Sequence, residues 1–343
     1  GRWTVRLTMT LPEEFALNQP LSPFALAALD MLDPTDPTYA LDVVSVIEAT
    51  LDDPRAVLVA QEKRARAEAV AALKAEGYDY DERMALLDDV TYPKPLAEAI
   101  EGAFAVYKRT NPWVLDHVPS PKSVVRDMVE RAATFAEYVS QYGLERAEGV
   151  LLRYLADAYR ALRQTVPPDR RDEELEDLLE WLGAVVRGVD ASLLDEWETL
   201  GGPGADRTEA APPRLTGSTR ALRVMVRNAL FRRVQLAARE DWAGLGALGD
   251  VDADGVPWTA DRWRDALDPY FDDHDEIGTG PDARGPALLI VQQDVPGPGH
   301  WTVRQLLDDP AGDRDWRIDA VVDLAASDEA GEAVFAVTAA GRL

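Results

Sequence analysis

Three arginines, Arg146, Arg153 and Arg160, recur at seven-residue intervals, and Arg163 follows shortly after. Seven residues fall ~20° short of two full helical turns, so on a helix these guanidinium groups form one row. Arg163, three positions on, extends it. A guanidinium offers a planar fork of donors that suits phosphate oxygens. Such a row could therefore hold a polyanion's backbone. The competing reading is a solvated helix face, because Glu145, Glu148 and Asp157 are close in sequence and exposed ion pairs contribute little.

A second arginine group comprises Arg214, Arg220, Arg223, Arg227, Arg232, Arg233 and Arg239, with no acid among them before Glu240. Arg220, Arg223 and Arg227 share one helical face. They would track phosphates or dock an acidic surface; alternatively they snorkel from the rim of a helix lying on a sheet. Further on, Asp250, Asp252 and Asp254 alternate, Gly255 stands sixth and Asp261 twelfth, which is the spacing of a calcium loop. Against that reading, the twelfth ligand is Asp rather than a bidentate Glu, and Asp261 equally suits the first turn of a following helix. No metal is assigned, and these four aspartates are the residual candidate. Gly244, Gly246 and Gly249 match G-x-G-x-x-G, but after a helix instead of a strand, so the match is set aside. His117, His274 and His300 are scattered. Neither a G-x-x-x-x-G-K-[ST] loop nor an Asp-Glu-x-His box is present, so this chain is not expected to hydrolyse ATP by a helicase mechanism, and no catalytic residue is assigned.

These residues need elements to position them. Residues 123–166 read as two helices joined at Tyr142-Gly143, with Gly143 suited to a left-handed helix end and Ser123 as a candidate cap. The second carries Val150, Leu151, Leu155, Ala158 and Leu162 at helical spacing. Alternation over residues 3–11 predicts a strand. Helices are predicted over 24–32, 39–51, 57–76, 81–88, 96–110 and 173–197, the third charge-rich and the last tracing a continuous core face. Residues 200–217, rich in Gly, Pro and Ala, read as a linker. Helices over 218–243 and 260–273 are then followed by strands over 287–293, 301–307, 316–323 and 333–338. The pattern predicts a mainly-α, α+β chain: an all-α domain over 1–199 and a small α+β domain with an antiparallel sheet over 218–343. The second domain is similar in pattern to the cone of nuclear-transport-factor-like (cystatin-like) proteins. Its Trp258, Trp263, Tyr270, Trp301 and Trp316 would line a cavity or, as is commoner, fill a core.

The stretch ATFAEYVSQYGLERAEGVLLRYLADAYRALRQTV resembles the C-terminal helical domain of DExH-box RNA helicases of the superkiller and exosome-cofactor kind. The points of resemblance are Ala133-Thr134-Phe135, Glu148-Gly149, Leu151-Leu152, Arg153 and Leu162-Arg163-Gln164. FALNQPLSPFALAALDMLDP, TYALDVVSVIEATLDDPR and SLLDEW look like the domain of uncharacterised function that follows the motor in bacterial DEAD/DEAH-box helicases. This resemblance implies a motor-free accessory region that holds single-stranded RNA or docks on upstream motor domains. Arg153 is then its best single RNA contact. ATP and Mg²⁺ would belong to the motor, with no cofactor in this chain. The rival expectations are a scaffold that recruits RNA-processing proteins, and a small-molecule binder or hydrolase in the cone.

With 343 residues, the chain is long enough for two cores. Its 46% hydrophobic content and nine Trp mark a globular protein. Cysteine is absent, which excludes thiolate chemistry and fits a reducing cytoplasm. No apolar run approaches the ~20 residues of a membrane helix, so no membrane partner is expected. The first residue is not Met, and the chain reads as part of a longer one. A net charge of −26 repels nucleic acid at long range, so RNA affinity would need locally concentrated arginine. Limited proteolysis is expected to cut first within 200–217 and leave two stable fragments. Early cuts within 123–166 on a gel time course would overturn these boundaries.

Overall fold

The computed structural model describes residues 20–189 and 215–343. The predicted strand over 3–11, the end of the predicted helix over 173–197 and most of the predicted linker lie outside them. The described residues divide into two compact units, 20–130 with 134–189 and 131–133 with 215–343. The first is helical throughout, and the second combines helices with a four-stranded antiparallel sheet. The chain is α+β and mainly α.

In the first unit α1 (Ser22–Leu29) starts on Pro23, whose fixed φ suits a first turn. Helix α2 (Tyr39–Glu48) buries Val43, Val44, Val46 and Ile47 on several sides. A helix apolar all round belongs at the centre of its fold. Helices α3 (Arg55–Ala75), α4 (Tyr80–Leu87) and α5 (Ala97–Thr110) follow. Gly77, at φ 88°, ends the α3 turn in a conformation other residues resist.

Residues 123–166 form three helices rather than two: α6 (Val125–Glu130), α7 (Phe135–Tyr142) and α8 (Glu148–Thr165). The extra break has a local cause. Ala132 is left-handed at φ 50°, and Thr134 restarts the helix through a reciprocal capping box with Glu137. Gly143 closes α7 at φ 63°, as its sequence position suggests. The last described helix of the unit, α9 (Glu173–Val189), packs on α8 and buries Leu175, Leu178, Leu179, Leu182, Val185 and Val186.

Polar groups inside this unit fix the helix ends. Ser123 is not the cap of α6. The fully buried Glu48 carboxylate, at the end of α2, instead accepts the amide N–H groups of Val124 (2.9 Å), Val125 (3.0 Å) and Arg126 (3.3 Å). It also accepts the Tyr154 hydroxyl of α8 at 2.8 Å. One side chain thus satisfies helix-terminal donors that would otherwise be buried without partners. Beside it, the buried Lys122 ammonium donates to the carbonyls of Leu51 (2.7 Å) and Ser120 (3.0 Å) and pairs with Asp53 at 3.0 Å. Asp127 accepts the hydroxyls of Tyr138 (3.0 Å) and Tyr142 (2.6 Å), and Gln61 of α3 donates to the Ser123 carbonyl.

In the second unit the predicted helix over 218–243 divides into α10 (Thr219–Ala237) and α11 (Trp242–Ala247), with Glu240 left-handed between them at φ 52°. The predicted 260–273 helix divides at Pro269 into α12 (Ala260–Leu267) and α13 (Tyr270–Asp273). A one-turn helix, α14 (Pro281–Arg284), precedes the strands β1 (Leu289–Gln293), β2 (His300–Leu306), β3 (Trp316–Asp323) and β4 (Phe335–Arg342). They pair in the order β1-β2-β3-β4, each antiparallel to the next. A short helix that the sequence pattern missed, α15 (Leu324–Ala330), joins β3 to β4. The Asp323 side chain caps it, and Gly331 ends it at φ 70°.

Burial alternates along β2 and β3. Trp301 faces Val322 across the strands and Val303 faces Ala320, all four on the buried side with Trp316 and Ile318. Leu222, Val226, Leu230 and Val234 of α10 join the same cluster, as do Trp258, Trp263 and Tyr270. The aromatic residues fill this core.

Glu48 gives a stability test. Burial pushes its carboxyl above the ordinary glutamate range, opposed by the amides of Val125 and Val124 and by the Tyr154 hydroxyl. Glu48→Ala should lower the unfolding free energy by about 3 kcal/mol, since several buried donors lose their acceptor. A carboxyl whose pKa is raised by folding contributes fully below its unfolded pKa, and that contribution is lost as pH rises through the folded value. The advantage of the parent over Glu48→Gln should therefore shrink as pH rises from the ordinary glutamate pKa of about 4.3. Urea titrations at successive pH values read this directly; a constant gap would contradict it.

Candidate functional site

Helix α8 carries the arginine row, and its orientation is set by its buried side. Leu151, Leu152, Leu155, Ala158 and Leu162 are buried, as are Tyr154 and Tyr159. Val150 is not on this stripe; it is 44% exposed at the helix start. The opposite face presents Arg153, Asp157 and Arg160. Arg146 lies before the helix, in the turn at 145–147, so the seven-residue row holds on α8 only from Arg153 onward.

The four arginines have different surroundings. Arg146 and Arg153 are exposed, and their side chains form no hydrogen bond or ion pair among the described residues. Arg160 is half-buried and pairs with Asp157 at 3.1 Å. Burial pushes the Asp157 carboxyl up, against the pull of Arg160 and Arg153. Arg163 is half-buried, donates to the Tyr159 hydroxyl at 2.9 Å and lies 5.7 Å from that ring's centre. From α9, Arg187 lies 5.8 Å from the same ring centre. Sequence reasoning missed this second helix's contribution. The two helices approach closely because Gly183 faces Tyr159: a Cβ there would lie 2.8 Å from the ring. Arg171 closes the end of α8 by donating to the carbonyls of Arg163 (2.7 Å) and Val166 (2.8 Å).

The second arginine group does not form one open face. Arg220 and Arg223 are exposed, but Arg227 is only 7% exposed. The physical reason is that α10 is buried on several sides, through Leu222, Val224, Val226, Leu230, Phe231 and Val234. Arg227 therefore does not share an exposed face with Arg220 and Arg223. Arg233 grips Asp250 with two nitrogens, at 2.6 and 3.1 Å, and Arg214 lies outside the described residues.

Those bonds also dispose of the calcium loop. Asp250 is buried against Arg233, and Asp252 pairs with Arg262 at 2.8 Å while accepting the amides of Asp254 and Val256. Asp261 pairs with Arg264 at 3.2 Å in the first turn of α12, and Asp254 is exposed. The loop is a turn closed by a bridge between Val251 and Pro257. Among the described residues no group of three His, Asp or Glu side chains is arranged to hold a metal ion. Within the G-x-G-x-x-G match Gly246 serves packing, since a Cβ there would lie 2.7 Å from the Ala260 backbone, and Gly249 follows the helix end at φ 75°.

A mainly-helical α+β protein with an arginine-bearing helix in its first unit is thus the class defined by fold and site. The chain belongs to the family described as a domain of unknown function, DUF3516, whose model matches residues 1–340 and so spans both units. No curated protein and no solved structure matches it. Among the described residues no helix is long and apolar enough to cross a membrane.

The Arg233–Asp250 pair has side chains only 11% and 5% exposed. Removing one partner of such a pair leaves a buried charge, so Asp250→Ala should cost about 3–5 kcal/mol in chemical denaturation. Millimolar calcium should leave the melting temperature of the parent unchanged; a calcium-dependent rise abolished by Asp250→Ala would restore the metal reading.

Proposed function

We propose that this chain is a motor-free accessory region of an ATP-dependent RNA helicase that holds single-stranded RNA by its phosphates on the α8 side of the first unit. The observation that carries this reading is the pair Arg146 and Arg153, both exposed and neither held in a hydrogen bond or salt bridge among the described residues, with Arg153 acting on Asp157 only at longer range. In a chain with 62 acidic and 36 basic residues, exposed guanidinium groups held in no salt bridge are where a phosphate gains most. The resemblance around Glu148-Gly149 points to Arg153, and spacing alone adds Arg146. Arg160 and Arg163 stand further along α8, where they would extend the track over a longer strand, and Arg220 and Arg223 would supply a separate contact in the second unit. The chain itself performs no chemistry on this reading. Its task is to keep the strand in place while motor domains advance.

A site inside the second unit has less support, because Trp258, Trp263, Tyr270, Trp301 and Trp316 are spent in the core. His274 stacks 4.7 Å from the Tyr270 ring. The scaffold reading, with RNA-processing proteins as partners, remains the competitor.

Arg146→Glu combined with Arg153→Glu tests the proposal, since neither side chain holds a hydrogen bond or salt bridge among the described residues. Binding of a single-stranded oligonucleotide should weaken by about tenfold, and its salt dependence should flatten by roughly 0.7 per lost phosphate contact. Fluorescence anisotropy over a salt series reads both. Equal affinity and equal slope for parent and variant would sink the proposal.

A further inference from the structure

Helix α3 runs for 21 residues, yet its buried residues, Val57, Leu58 and Gln61, all lie in the first two turns. Helix α4, which packs on it, buries only Leu87. The far part of α3 and all of α4 therefore form a helical hairpin that adds almost nothing to the core of its unit. Arg64–Glu68 and Arg66–Glu62 pairs line α3, but such pairs support a helix only weakly. Most helical stability comes from packing an apolar face, and here one such face is uncovered.

That face is at the tip. Tyr80 is 65% exposed, Met84 41% and Tyr78 40%. Tyr80 and Met84 are four residues apart on α4 and so are neighbours on its surface, on the side adjoining the buried Leu87. The sequence around them is mostly acidic, with Glu76, Asp79, Asp81, Glu82, Asp88 and Asp89 against Arg83 among positions 76–89, while α3 adds Lys74 in its last turn and Arg66, which donates to the Val90 carbonyl at 3.2 Å. Arg83 is turned onto the Tyr78 carbonyl at 3.1 Å. Asp79 and Glu82 are occupied by the capping box of α4, whereas Asp81, Asp88 and Asp89 form no ion pair among the described residues.

We propose that the α3–α4 tip is a docking surface for a cationic, amphipathic protein segment, one with an apolar face flanked by Lys or Arg. Charge selects the occupant. The acidic rim repels phosphate, so nucleic acid is excluded from this place. Tip-to-tip association of two copies would set like charges against each other. An apolar stripe between basic side chains meets both needs, with Tyr80 and Met84 supplying contact area and Asp81, Asp88 and Asp89 supplying complementarity. Methionine adapts its shape to varied partners. This surface is separate from the arginine row and does not depend on it.

The test uses an 18-residue synthetic peptide carrying Leu on one helical face and Lys on the other, with a scrambled peptide of the same composition as control. Fluorescence anisotropy should show the parent binding the patterned peptide more tightly than the scrambled one. Tyr80→Ser with Met84→Ser should weaken that binding by about tenfold, the scale of losing one central contact pair. Asp81→Asn with Asp89→Asn should flatten its salt dependence. All four positions are exposed, and circular dichroism verifies that the helices persist. Val118→Ser, at a distant exposed position, should change nothing. Equal binding of patterned and scrambled peptides, or unchanged binding by the tip variants, would overturn the proposal in favour of general attraction to an acidic surface. A loss of oligonucleotide binding in the tip variants would overturn it in favour of nucleic acid.

Discussion

A single buried carboxylate holds the first unit in register. Glu48 ends α2, receives the start of α6 through three backbone amides and receives α8 through Tyr154. A charge or polar group in such a place is costly unless every donor and acceptor is paired, and here the pairing links three helices that are far apart in sequence. Asp127 repeats the device with two tyrosine hydroxyls, and Lys122 does so with carbonyls and Asp53. These contacts fix the direction in which α8 presents its outer face, so the exposure of Arg153 follows from a bond made on the opposite side of the helix.

Charge in this chain does two different jobs. Inside each unit, arginines are matched to acids: Arg126 to Asp42 and Glu130, Arg233 to Asp250, and Arg304 with Arg317 to Asp319. Burial would raise the Asp319 carboxyl, but the two guanidinium groups hold it below the ordinary range. Such pairs specify geometry more than they add stability. On the surface the surplus is acidic, which makes each exposed, unengaged arginine distinctive. On the two proposals above, the arginines of α8 and the tip of α3–α4 would serve partners of opposite charge.

Both surfaces lie within residues matched by the DUF3516 family model, which also runs through the second unit. That second unit is built as a packed body. Its sheet buries one face under α10, and its tryptophans are consumed in the core rather than arranged around a space. Trp258 even spends its indole N–H on the Val337 carbonyl at 2.7 Å, tying the loop before α12 to the edge strand.

Local signals were enough for much of the fold. Apolar spacing located α5 and α8, because it reflects a single buried face, and the strand pattern located β3 from Trp316 to Asp323; α2, buried on several sides, and the charge-rich α3 were bounded by their turn residues. Gly143 and Gly77 announced their helix ends, because only a residue without a side chain takes that backbone easily. Local signals failed where a remote group intervened. Nothing near Ser123 reveals that the α6 cap comes from Glu48, 75 residues earlier in the chain. The burial of Arg227 is equally decided by what packs around it. The same holds for the arginine row: spacing placed Arg153 and Arg160 on one face, but only packing left Arg153 open and set Arg160 against Asp157. Arg187 came to Tyr159 from another helix, through the close approach that Gly183 permits. Periodicity records which side of an element is apolar; which polar group meets which is settled only when distant segments close together.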